Sequence, residues 1–460
     1  MRPVLVHNTL RSFQRLSPRT FGGAGAVLSL AMPAVGEQLL NMTVGLVNTF
    51  MMGHLGAAPM AAVNFANQFV MLANVLFSSI ATGSTALIAR AKGAGDAATA
   101  TRTVNQSMLI GTLVGLITTV VGVPLARESM LFMGAVDEAL LLGAAYLRIV
   151  ACTFLLSTWM FVGMACLRGA GDTRTPMTVM LLVNAVNMAV SALLIYGPFG
   201  LPRLGVVGSA LGATAGRSVG AVLVLAILLR GRSGLRLDWR ALRPDTENLR
   251  RILRIGVPTG VEQLLMRLGQ TSYLRIVATL GTAACAAHAV ALNAESLSYS
   301  PGFGFAVAAT TLVGQGLGAA DPERSERDGY LSAGLGGLVM STMGLVFFLF
   351  AGPIVGFFTS DPEVVALGTG PLRLVAVAQP FLASNMILAG ALRGAGDTRW
   401  PMFFTALGIW GVRVPLAVLF ILVLRLGLMG AWYAMAIDLG VRGLLAFLRF
   451  RSGFWKKVQV

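Results

Sequence analysis

Apolar residues run through this chain in long blocks, and each block ends at a short cluster of Arg, Gly, Pro or Asp. A helix that crosses a bilayer needs about 20 mostly apolar residues. Twelve blocks reach that length. They lie near 26–50, 62–88, 105–125, 140–164, 177–197 and 206–229, then near 256–279, 286–313, 330–351, 366–390, 403–423 and 428–448. The pattern predicts an all-α integral membrane protein with twelve transmembrane helices.

The blocks also repeat. Residues 166–177 read CLRGAGDTRTPM and residues 391–402 read ALRGAGDTRWPM, with ten of twelve positions identical. The same offset of 225 aligns Pro33 with Pro258, Glu37-Gln38-Leu39-Leu40 with Glu262-Gln263-Leu264-Leu265, and Asp96 with Asp321. A long internal repeat is one structural unit copied. Six spans per copy insert both copies in the same orientation, as two pseudo-symmetric six-helix lobes related by an axis along the membrane normal. The expected division is a first lobe at 1–230, a cytoplasmic linker at 231–255 and a second lobe at 256–460. The Arg-rich linker, with Pro244, reads as a solvated loop that sets topology. The repeated loop reads as a tight turn. Gly169 and Gly171 can take the positive φ that ends a helix, Thr175 before Pro176 starts the next one, and Asp172 can accept from Arg168 or Arg174.

A net charge of +16 would suggest nucleic acid if the cations shared a soluble face, but 56% of the residues are hydrophobic and only 12% are charged. Most of the cations sit in the gaps between blocks, 25 on one side and three (Arg127, Arg203 and Arg425) on the other. Loops rich in Lys and Arg stay cytoplasmic, so both termini are expected inside, and nucleic acid is not an expected partner. Cys152, Cys166 and Cys285 lie within apolar stretches without a CxxC, which indicates neither a disulfide framework nor a zinc site. The basic start (Arg2, Arg11, Arg15, Arg19) leads into an apolar run longer than a signal peptide, and no cleavage is expected.

Nucleotide chemistry has no foothold. A P-loop needs Gly-Lys, whereas Lys92, Lys456 and Lys457 follow Ala91, Trp455 and Lys456. An Asp-Lys phosphorylation signature is also missing, as are the nucleophile and paired acids of an enzyme. Transport driven by a Na⁺ or H⁺ gradient, without a cofactor, is the expectation. Ionisable groups inside spans are costly and mark functional sites. Glu37 and Glu262 are repeat counterparts, able to bind a cation or a proton in a cleft, or to close helix–helix hydrogen bonds; Glu262 could also pair with Arg267. Glu295 shares a helix face with His288, seven residues earlier. Pro301, Gly302 and Gly304 predict a bent or unwound helix there, of the kind tolerated where it lines a cavity. Asp438 and Arg442, four apart, predict a local ion pair. Ion-coupling candidates are therefore Glu37, Glu262 and Glu295, any of which could hold Na⁺. Cleft-lining candidates are Gln38, Asn41, Asn48, Asn184, Asn187, Gln263, Gln270, His288 and Tyr299. The 22 Met and 24 Phe residues supply adaptable apolar walls.

Several motifs together resemble one family: the two Leu-Arg-Gly-Ala-Gly-Asp-Thr-Arg loops, Asn48-Thr-Phe-Met-Met-Gly53 followed by Leu55-Gly56, Ala286-Ala-His288, and Ala308-Ala-Thr-Thr-Leu-Val-Gly-Gln315. The chain is similar to the multidrug and toxic compound extrusion (MATE) transporters, in particular their NorM-like bacterial members. The resemblance implies a monomeric secondary active transporter of the bacterial cytoplasmic (inner) membrane. It would exchange Na⁺ or H⁺ for organic, mostly cationic compounds or drugs by rocking of its two lobes. The sequence departs from the family at Asn48, where members often carry an Asp, and near Leu382, where some carry one. A seventh-span acid of some relatives falls near Met266, one turn from Glu262. A flippase for a lipid-linked anionic precursor is the alternative, carried by Arg217, Arg267, Arg275 and Arg413.

Overall fold

The computed structural model describes residues 23–197, 202–238 and 243–459, and its long elements are all helices. In order they are α1 (Ala24–Gly53), α2 (Ala57–Gly93), α3 (Ala97–Gly122), the short α4 (Ala126–Phe132), α5 (Asp137–Ala151), α6 (Phe154–Gly169), α7 (Arg174–Tyr196) and α8 (Gly205–Leu229). The second half holds α9 (Thr246–Ala278), α10 (Thr282–Gly318), α11 (Pro322–Leu349), the short α12 (Ala351–Phe358), α13 (Pro362–Gly394), α14 (Arg399–Val423) and α15 (Gly427–Arg451). Each apolar block corresponds to one of these helices or, for the fourth block, to the α5–α6 pair. Among the described residues nine helices are long and apolar enough to cross a bilayer, and α5–α6 makes a tenth. The remaining two, α9 and α10, have 33 and 37 residues. They are long enough, but they carry Glu262, Gln263, Arg267, Gln270, His288, Asn293 and Glu295, which lowers their hydropathy.

The break in a span falls at a different place from the one expected. α10 runs unbroken through Pro301, whereas the fourth span bends by 52° between α5 and α6, at Cys152 and Thr153. The glycines after Pro301 serve packing. A Cβ on Gly302 would stand 2.7 Å from the Met340 sulfur, and one on Gly304 would stand 2.9 Å from the Ala31 carbonyl oxygen. Small residues of this kind let helix backbones approach in a membrane, where no hydrophobic force draws helices together. α14 includes two π-helical stretches, Leu407–Arg413 and Leu419–Val423. Such bulges turn side chains away from their α-helical directions and recur at functional sites.

Packing divides the chain into two units. The first unit runs through residues 36–256, and the second comprises residues 23–35 with 257–459. In the first, the opening turns of α9 lie on α2, where a Cβ on Gly256 would stand 2.5 Å from the Ser79 carbonyl oxygen. In the second, the opening turns of α1 lie on α10 through Ala31 and Gly304. These two contacts are related by the 225-residue offset. The described part of the linker is bound to the first unit, unlike the solvated loop expected from its charge. Leu235 and Leu237 are buried, the Asn105 side chain accepts from the Asp238 backbone N–H at 3.0 Å, and the Gln106 amide joins the Arg243 carbonyl and the Asp245 N–H.

Both copies of the repeated loop end a helix in the same way. Gly171 and Gly396 take positive φ (+89° and +81°), and Asp172 and Asp397 donate their N–H groups back to the carbonyls of Leu167 and Leu392. Gly169 and Gly394 do something else. Both are helical, and a Cβ on Gly169 would stand 2.6 Å from the Thr85 carbonyl oxygen, while one on Gly394 would overlap that of Thr310. The same contact carries a hydrogen bond in each copy: the Thr85 hydroxyl to the Ala165 carbonyl at 3.0 Å, and the Thr310 hydroxyl to the Gly390 carbonyl at 2.8 Å. Asp172 accepts from Thr175 and from the Ser233 hydroxyl and forms no ion pair with Arg168 or Arg174. Asp397 is held by Arg449 at 2.8 Å. Burial pushes its carboxyl above the ordinary aspartate value, and the Arg449 hydrogen bond and charge oppose that shift.

Candidate functional site

Glu37 and Glu262 meet the arginines of the repeated loop. Arg168, in the last turn of α6, donates to Glu37 at 2.9 and 3.3 Å. Arg393, in the last turn of α13, donates to Glu262 at 2.7 Å, and the Thr405 hydroxyl adds a bond to the same oxygen at 3.1 Å. The expected alternative partner of Glu262, Arg267, is exposed and forms no ion pair with it among the described residues. Each repeat thus ties its first helix to its copy of the repeated loop with one ion pair, and the two pairs are related by the same offset. Sequence spacing aligned both members of the pair without showing that they touch, because they lie 131 residues apart.

Glu295 stands in a different setting within the second unit. The Asp438 carboxylate is fully buried between two guanidinium groups, Arg413 from the first π stretch of α14 and Arg442 one turn along α15, at 2.7–2.8 Å. The local Asp438–Arg442 pair expected from spacing is present, and Arg413 completes it. Gly408 makes room for this triad, since a Cβ there would collide with Asp438 and Arg442. Two arginines on one carboxylate leave one positive charge in excess. The fields of Arg413 and Arg442 reach Glu295, which is half-buried and has no ion pair of its own among the described residues. Around it, Arg413 lies over the Tyr273 ring at 5.7 Å, and His288 packs edge-on between Tyr273 and Trp432 at 5.6 and 5.5 Å. Tyr273 anchors the group by donating to the Ala431 carbonyl at 2.7 Å.

The first unit contains a cavity of about 350 Å³. Asn41, Asn48, Asn184 and Asn187, chosen from the sequence, all line it, together with Asn64, Asn67 and Asn74 of α2, Tyr146, Ser209 and Arg217. Met52, Met60, Met160, Met180 and Phe161 supply the apolar wall. No carboxylate lies on this wall. The α2 asparagines were legible in principle: spacings of three and seven place them on one face of the helix, in its largely apolar first half. Gln38, Gln263 and Gln270 are not part of this lining. Tyr299, exposed on α10, lies within electrostatic reach of Arg393, Arg442 and Glu262. The second unit holds the charge cluster, while the amide cavity lies in the first unit. No group of three or more His, Cys, Asp or Glu suited to a metal occurs among the described residues.

Comparison with known proteins places this architecture. A family model described as MatE matches residues 33–193 and 258–419, two segments that begin 225 residues apart. The chain is 34% identical to a probable multidrug resistance protein NorM of Thermotoga maritima, over 94% of this chain and 93% of that one. It is 31% identical to a probable multidrug resistance protein NorM of Burkholderia mallei, over 92% and 91%. The solved structure of a MATE protein in complex with MaL6 superposes with a TM-score of 0.89 at 24% identity, covering 94% of this chain and 97% of that one. Because both repeats match one family model and the likeness extends along nearly the whole sequence, the protein belongs to the MatE family.

Proposed function

We propose that this protein is an ion-coupled exporter of organic compounds, with the amide-lined cavity of the first unit receiving cargo and Glu295 in the second unit taking up the coupling ion. The names of its NorM relatives as multidrug resistance proteins support the export of drug-like compounds. The bias of 25 cations to three between alternate loops supports a cytoplasmic-membrane orientation with both termini inside. We take the working unit to be a monomer.

The observation that carries the coupling site is the contrast among three glutamates. Glu37 and Glu262 are each engaged by an arginine, whereas Glu295 faces the field of an Asp438–Arg413–Arg442 triad with no ion pair of its own among the described residues. Ionised Glu295 brings the cluster to neutrality, and neutralising it restores the excess positive charge. In a low-dielectric interior that one-charge difference is large enough to shift a conformational equilibrium. A proton suits this carboxylate better than Na⁺. A metal cation would need several oxygen ligands beside two guanidinium groups that repel it, while a proton needs one oxygen. H⁺ is therefore the proposed coupling ion, with Na⁺ as the alternative.

The test uses protein reconstituted in vesicles loaded with an organic dye, with pH and Na⁺ gradients imposed separately. The pH gradient should drive dye movement, and Glu295→Gln should abolish that dependence while leaving the protein folded. Efflux driven by Na⁺ at constant pH, or unchanged coupling in Glu295→Gln, would overturn the assignment. A second reading, translocation of a lipid-linked anionic precursor, is favoured by one observation: Arg217 in the cavity wall.

A further inference from the structure

The cavity of the first unit carries an unbalanced charge. Arg217 of α8 lines it, forms no ion pair among the described residues, and interacts with one ionisable neighbour, Tyr146, whose hydroxyl is neutral at ordinary pH. Two amides in the same wall are also unsatisfied. Asn48 has a buried carbonyl oxygen and Asn184, 4% exposed, a buried NH₂ group, neither with a hydrogen-bond partner among the described residues. Asn187, by contrast, accepts from Ser191 within its own helix at 3.1 Å.

An arginine within a membrane-spanning bundle is costly unless something pairs with it. The usual remedy, a carboxylate on a facing helix, is not on this wall. Its seven asparagines can donate and accept but carry no charge. Guanidinium presents a planar fork of donors matched to carboxylate and phosphate oxygens. A cationic guest would meet like charge, and no acid would offset its lost hydration. The wall's methionines and Phe161 fit the apolar body of an amphiphile, and about 350 Å³ falls in the range of small-molecule sites.

We infer that the first-unit cavity binds amphiphilic organic anions, their carboxylate, sulfonate or phosphate seated on Arg217 and their polar body on the asparagines. The inference rests on the exporter reading only in calling the ligand cargo, and its test measures binding without transport. Two sources share this chemistry: a free organic anion and the headgroup of a lipid-linked phosphate.

The experiment follows fluorescence anisotropy of fluorescein, an anionic dye, and of ethidium, a cation of comparable size, with the purified full chain in neutral detergent. Wild type should bind fluorescein more tightly than ethidium, and raising ionic strength should weaken fluorescein binding. Arg217→Ala should weaken it by at least about tenfold, the scale of one charge-assisted hydrogen bond, and Arg217→Lys should retain most of the loss. Asn48→Asp, which places a carboxylate on the wall, should shift preference towards ethidium. This variant and the wild-type preference keep the test decisive if Arg217→Ala does not fold. A polyprenyl diphosphate that displaces fluorescein at lower concentration than free diphosphate identifies the lipid-linked source; displacement by soluble organic carboxylates alone identifies the free anion. Wild-type preference for ethidium, or fluorescein affinity unchanged in Arg217→Ala, would overturn the inference. Failure of dye transport with this binding intact would count against the exporter reading instead.

Discussion

Replacing Arg393 by Ala tests whether the paired glutamates are structural ties. The arginine donates to Glu262 Oε1 at 2.7 Å, Thr405 donates to the same oxygen at 3.1 Å, and Oε2 has no hydrogen-bond partner among the described residues. The Glu262 side chain is 9% exposed and that of Arg393 24%, so solvent screens the pair only partly. Removing the cation leaves a largely buried carboxylate with a single hydroxyl donor, which costs about 3–5 kcal/mol. For a unit of roughly 200 residues, about 2–4 °C of Tm is lost per kcal/mol. The expected fall is therefore at least about 6 °C, read by thermal unfolding in detergent. Glu262→Gln removes the stranded charge, so the double variant should lose less than the sum of the singles by about 2 kcal/mol. Arg399→Ala, an exposed arginine in the same loop, is the control and should change stability by less than about 0.5 kcal/mol. If Arg393→Ala unfolds no earlier than Arg399→Ala, or the pair behaves additively, Glu262 is not tied in this way and returns as a coupling candidate.

Gly394→Ala should destabilise by about 1–3 kcal/mol through overpacking, since its Cβ would meet the Thr310 backbone. Gly440→Ala, with nothing within 4 Å, should leave the same melting curve in place, and equal shifts in the two variants would refute the close approach. Ala320 sits at φ +56° where the other repeat has Gly95 at +70°. Ala320→Gly should therefore raise stability by up to about 1 kcal/mol by relieving left-handed strain, and a lower Tm would show that the strain is offset elsewhere.

Much of this protein could be read along the chain, because a bilayer imposes a one-dimensional rule: apolar length makes a span, and cations mark its cytoplasmic end. The duplication was equally legible, and it aligned Glu37 with Glu262, Arg168 with Arg393 and Gly169 with Gly394. Asn41, Asn48, Asn184 and Asn187 stood out because an amide inside an apolar block has to be explained. Partners were a different matter. That Glu37 reaches Arg168 across 131 residues, that Gly394 lies on the Thr310 carbonyl, and that α10 runs unbroken while α5–α6 bends are decided by which helix faces meet. The same holds for Arg413, which a π stretch aims at Asp438, and for Arg217, whose lack of a counter-ion among the described residues exists only once the surrounding wall is assembled. Charge and hydropathy act along the sequence, whereas pairing and cavity shape depend on distances between helices that no local pattern encodes.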